Sequence, residues 1–127
     1  MTGMALAVKL IAEPNTIMIG SQRLEVSTED SDVDLCVYSK EVDDIAFDMF
    51  EIVQRQDYYG SLLLEHSIMF KYDGLDIFVF DSLEKLKIVE LVMSIMEDYP
   101  KFVIRIKWVR VKIFRYLLEK YRFLDKE

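Results

Sequence analysis

Cross-linking by disulfide is excluded within this chain, because Cys36 is its only cysteine and a bridge needs two. Proline and glycine are scarce, with two and four copies in 127 residues, which argues for regular elements joined by short turns rather than for linkers. No apolar run approaches the ~20 residues of a membrane-spanning helix. The opening stretch MTGMALAVKLIAEP lacks a basic leader and its apolar run is interrupted by Lys9, which argues against a signal peptide. With the lone thiol, this points to a cytoplasmic protein that uses no membrane. No internal repeat and no low-complexity segment occurs. Apolar residues make up 52%, enough for a packed core and too many for a disordered chain. The length suits one domain over residues 1–127.

Positive charge is also scarce, but only in part of the chain. The net charge is −7, and residues 101–127 hold nine Lys/Arg against three Asp/Glu, leaving seven against 20 for residues 1–100. The acidic part repels a phosphate backbone unless metal ions shield it. The basic end attracts one, or docks on an acidic partner or on the acidic body of its own fold.

The local pattern predicts a short helix over 4–12, stopped by Glu13-Pro14-Asn15. TIMIG (16–20) reads as a buried strand and VDLCVYS (33–39) as a second. Val42, Ile45, Met49, Ile52 and Val53 recur at helical steps and predict a helix over 41–56. Two β-rich runs flank Asp73-Gly74 within 67–81, a hairpin signature. Ser82 is a fitting N-cap for a helix over 82–99, and Pro100 permits another to start. Residues 101–122 alternate like a strand in places, yet Phe102, Ile106, Val109, Ile113 and Leu117 fall on one helical face and Lys101, Arg105, Lys112, Arg115 and Arg122 on the other; length favours helix. The expected fold is α+β: a small mixed or antiparallel sheet with helices packed on one face, followed by C-terminal helices.

Asp32 and Asp34 stand two apart at the start of the second strand, a spacing that points both side chains the same way. Two such carboxylates repel when charged, and a divalent cation relieves this. Oxygen ligands suit Mg²⁺, which keeps waters and phosphate oxygens as its other ligands. Gly20 lets a phosphate approach the backbone, and Ser21 opening a helical turn adds free N–H groups. Asp76 sits in the otherwise apolar run GLDIFVF, where an acid is costly unless hydrogen-bonded or metal-bound. It is the candidate third ligand of a two-metal site able to stabilise both the attacking oxygen and the departing pyrophosphate.

Gly20-Ser21 at the end of one strand, Ser31-Asp32-Val33-Asp34-Leu35 at the start of the next and Asp76 on a later one resemble the signature of the nucleotidyltransferase superfamily that includes DNA polymerase beta, most closely its minimal branch with GS…SDxDL. The resemblance covers about residues 4–81, leaving 82–124 as a C-terminal helical extension. It implies a nucleotidyltransferase-like fold and a metal-dependent transfer of a nucleoside monophosphate from an NTP, with ATP as the guess, to a hydroxyl on a protein, RNA or small molecule. It casts Asp32, Asp34 and Asp76 as catalytic residues and ligands of two Mg²⁺ ions, and Gly20 and Ser21 as the phosphate cradle; Arg23 is added as a phosphate contact. The chain departs from the branch at Gln22-Arg23-Leu24-Glu25-Val26, where a glycine-containing loop is usual. This keeps a second reading open: a catalytically inactive nucleotidyltransferase-like binding module, or an antitoxin-like interaction protein.

Other residues carry plainer readings. Glu29 and Asp30 read as solvated loop acids, Asp73 as a turn residue, His66 as an ordinary loop residue, and Met93 and Met96 as core. Cys36 alternates with the two aspartates and is assigned no chemistry. The basic end has three readings: a solvated helix face, a homodimer interface through the C-terminal helices anchored by Trp108, or a nucleic-acid surface, since Trp108, Phe114, Tyr116 and Tyr121 interleave with the basic residues.

Overall fold

Four strands form one mixed sheet in the computed structural model, which describes residues 8–12, 14–28, 31–39, 62–63, 67–72, 74–80 and 82–124. Strand β1 (Thr16–Ile19) runs into a four-residue helical turn, α1 (Gly20–Arg23), and the chain returns as β2 (Val33–Tyr38). The hairpin follows as β3 (Ser67–Tyr72) and β4 (Leu75–Phe80), turning through Gly74 at φ +80. Spatial order is β1-β2-β4-β3, with β2 and β4 parallel and the two outer pairs antiparallel. The expected mixed sheet and hairpin are therefore present. Residues 8–11 are helical. The helix expected over 41–56 lies outside the described residues, as do Glu29, Asp30, His66 and Asp73.

Strand periodicity divides the sheet into two faces. On one, Ile17, Ile19, Cys36, Tyr38, Met69, Phe78 and Phe80 pack with the helices that follow. These are α2 (Leu83–Glu97), α3 (Lys101–Ile104) and α4 (Lys107–Lys120). Leu86, Val89, Val92, Met93 and Met96 of α2 and Phe114, Leu117 and Leu118 of α4 complete that core, as the reading of Met93 and Met96 required. The opposite face is no open surface, for Val37, Ile77 and Val79 are buried as well. Ser82 caps α2, its Oγ accepting from the Lys85 N–H at 3.3 Å, a contact worth about 1 kcal/mol.

The C-terminal segment is helical rather than extended, and the expected apolar stripe holds at Ile113 and Leu117 but fails at its start. Phe102 is 71% exposed and Ile106 is also exposed, while the buried residues are Ile104, Arg110, Phe114, Leu117 and Leu118. The cause is a break. Ile106 takes an extended conformation (φ −79, ψ 114) between α3 and α4, so the helical phase counted across 101–117 does not carry through. Arg110 fixes the break, donating from Nη1 to the Ile104 and Arg105 carbonyls at 2.9 and 3.4 Å. A cation there meets the negative end of α3.

α4 stops in a Schellman motif. The Arg122 N–H donates to Glu119 O and the Phe123 N–H to Leu118 O, with Arg122 at φ +64. Phe123 is thereby turned into the core, edge-on to Phe80 with ring centroids 6.0 Å apart. Lys85 Nζ holds the Arg122 and Phe123 carbonyls from α2.

Candidate active site

The sheet register places two of the three candidate aspartates side by side. Asp34 of β2 is the register partner of Asp76 of β4, and of Ile19 on its other side. Partners on adjacent strands share a face, so both acids lie at one end of the helix-covered face, where β2 and β4 begin. Asp76 is 1% exposed. Asp32 stands just before β2 and is half-buried. Among the described residues, no group of three or more His, Cys, Asp or Glu side chains is gathered tightly enough to hold a metal ion.

Gly20 meets this pair from β1. Its φ of +75 turns the buried end of β1 into α1, and a Cβ there would lie 2.5 Å from Asp34 Oδ2. Two constraints thus select glycine at one position: the left-handed backbone and the approach of a carboxylate. Ser21 follows, half-buried, in the same turn.

The turn closes without a glycine at its positive-φ position. Glu25 N–H donates to Gln22 O at 3.3 Å and Val26 N–H to Ser21 O at 3.0 Å, a second Schellman motif with Glu25 at φ +60 in the position glycine favours. Val26 packs on the core behind it. The loop shape is built from a residue that pays for it in backbone strain.

Arg23, expected as a phosphate contact, is turned in this structure towards acids of α2. Its Nη1 and Nη2 donate to Glu90 Oε2 and Oε1 at 2.6 and 2.7 Å, and its Nε donates to Glu97 Oε1 at 2.6 Å. Nη1 also reaches Met18 O and Nη2 reaches Ser94 Oγ. Paired forks of this kind are the strong form of an arginine–carboxylate contact. Arg23 is therefore a strut that ties α1 to α2. Lys101 adds a second tie, donating from Nζ to Leu24 O at 2.5 Å. The Arg23 hydrogen bonds hold the Glu90 carboxyl below its ordinary range, and the Glu90 contact in turn keeps the guanidinium charged.

Glu90 and Glu97 were not singled out as site residues from sequence. Their signal was there: 90, 94 and 97 fall at helical steps of four and three, an acidic and hydroxyl stripe on α2 that meets Arg23. Cys36 lies wholly inside the core, and burial first, then the charges of Asp34 and Glu90, pushes its thiol well above the ordinary value. It carries no nucleophile.

With this arrangement on the page, comparison with known families is decisive at one level. A family model described as nucleotidyltransferase domain matches residues 15–124. The chain belongs to the nucleotidyltransferase domain family. The match runs from just before β1 to beyond α4, so the C-terminal helices fall within it. No curated protein and no solved structure matches the chain. Among the described residues, no helix of this nucleotidyltransferase domain is long and apolar enough to cross a membrane.

Proposed function

We propose that the protein is a Mg²⁺-dependent nucleotidyltransferase that moves a nucleoside monophosphate from an NTP, ATP first among them, to an acceptor hydroxyl. The observation that carries the reading is Gly20 pressed against Asp34, with Asp34 in register with Asp76. A backbone stripped of its Cβ beside paired carboxylates is a cradle for a metal-bound phosphate. The donor set is all oxygen, which fits Mg²⁺. Asp32, Asp34 and Asp76 would hold two ions. Bound there, they supply positive charge that lowers the pKa of the acceptor hydroxyl and neutralises the departing pyrophosphate.

The chain's own residues bind, orient and exclude water. Gly20 and Ser21 offer backbone N–H groups to the phosphates. Asp76, enclosed by β2, β3 and the helix layer, takes the acceptor side. The acceptor oxygen bonds to the α-phosphorus as the bond from that phosphorus to the bridging oxygen breaks; the hydroxyl proton leaves to solvent and pyrophosphate departs. Likeness to the minimal branch supports a protein or RNA end as acceptor. The test is incubation with α-labelled NTPs, Mg²⁺ and candidate acceptors. Transfer that disappears in Asp34→Asn supports the reading, and label that never transfers overturns it.

A second reading is favoured by one observation, the commitment of the Arg23 donors to Glu90 and Glu97. If the cradle lacks that phosphate contact, the fold serves as a nucleotide- or partner-binding module. That reading predicts NTP binding with no pyrophosphate release.

A further inference from the structure

The outer face of α4 has no role in the fold or in the proposed transfer. Trp108, Lys112, Tyr116 and Lys120 follow one another at steps of four, a single stripe on the helix surface. Trp108 is 66% and Tyr116 59% exposed. Large aromatics left in water on one stripe mark a contact surface more often than isolated ones do. The cations of the stripe are set among the rings: Lys112 Nζ lies 5.7 Å from the Trp108 ring centre, and Lys120 Nζ lies 5.7 Å from that of Tyr121. Arg115 flanks them and pairs with Glu119 at 3.4 Å.

We propose that this α4 face binds single-stranded nucleic acid, its bases stacked on Trp108 and Tyr116 and its phosphates held by Lys112, Arg115 and Lys120. Three arguments select this occupant. Charge is complementary: the surface is basic in a chain of net charge −7, and Arg110 and Lys101 of this region are taken up by the fold, Arg110 capping α3 and Lys101 holding Leu24 O. Chemistry fits: alternating rings and cations are what sequence-tolerant binding of single strands uses. Composition weighs against the rivals. Protein interfaces are depleted in lysine, and a second copy laid face to face on this stripe would bring like charges together. Trp108 and Tyr116 are about 12 Å apart along the helix at 1.5 Å per residue, so separate bases can occupy them. This inference stands apart from the transfer reaction, since it concerns binding without metal or NTP.

Trp108 is the only tryptophan, so its emission reports on this face directly. The full chain is titrated with oligo(U) and oligo(dT) of about 12 nucleotides, within the usual span of single-strand sites, without divalent metal. Expected is quenching that weakens with salt, with a log–log slope near −2, since three cations contribute about 0.7 each. Tyr116→Ala should weaken binding at least about fivefold and leave the slope unchanged. Lys112→Gln should reduce the slope by about 0.7. Both residues are exposed, so the variants fold, and circular dichroism verifies it. No quenching by either oligonucleotide overturns the proposal. Equal quenching by poly-glutamate overturns it in favour of an acidic protein partner, and an emission change driven by protein concentration alone overturns it in favour of self-association.

Discussion

Gly20 and Asp34 approach so closely that a methyl group on the glycine would sit 2.5 Å from the Asp34 Oδ2 atom. Gly74 also has a positive φ, yet nothing lies within 4 Å of where its Cβ would be. The pair gives a controlled comparison. Gly74→Ala should cost about 1–2 kcal/mol in urea unfolding from the left-handed backbone alone, and Gly20→Ala should cost at least that much, because there the Asp34 carboxylate must also shift. Only Gly20→Ala should also lose Mg²⁺-dependent NTP binding, since only there is the carboxylate displaced.

Arg23→Gln should lower stability by about 1–2 kcal/mol, a charge-assisted contact discounted for the partial exposure of Glu90. Its pH signature follows from the Glu90 carboxyl, held below its ordinary value of 4.5 by the Arg23 hydrogen bonds. The folded state then binds that proton less readily than the unfolded one. The contribution is complete above about pH 4.5 and is lost as pH falls through the lower, folded-state value. Urea midpoints measured between neutrality and acid should fall less steeply for Arg23→Gln than for the wild type.

Glu25→Gly should stabilise the protein by about 0.5–1 kcal/mol, because the residue holds φ +60 at a helix C-terminus where glycine fits without strain. Glu25→Ala should give no such gain. The Glu25 contact with Lys101, 3.5 Å between exposed groups, contributes too little to mask this. Denaturation midpoints of the two variants check it.

The Cys36 thiol, buried and pushed upward, should stay unreactive to a thiol reagent at pH 8 in the folded protein and react at the rate of unfolding. Label incorporation timed against urea concentration measures this.

Strands, hairpin and the Ser82 cap were legible because period-two runs, Asp73-Gly74 and a serine before a run of helix formers are local signals. The aspartate pairing was legible only through resemblance, since no local rule says that β2 and β4 become parallel neighbours. Three features were hidden for physical reasons. The Glu25 turn violates the usual preference for glycine and is held by the two hydrogen bonds around it. The helix break at Ile106 is imposed by Arg110 reaching back to the α3 carbonyls, so counting an unbroken helical phase exposed Phe102 where burial was expected. The Arg23 strut needed a partner 67 residues away, beyond the reach of any spacing rule.

The most direct test is calorimetric titration of ATP into wild type and Asp34→Asn, each with and without Mg²⁺. If the aspartates hold metal and phosphate, wild type binds ATP only with Mg²⁺. Asp34→Asn then binds at least about tenfold more weakly, the scale on which losing even an outer partner of a metal site acts, while its metal-free urea midpoint is no lower than that of wild type because repulsion between carboxylates is relieved. ATP binding that ignores both the metal and the substitution would contradict a nucleotide site built on these residues.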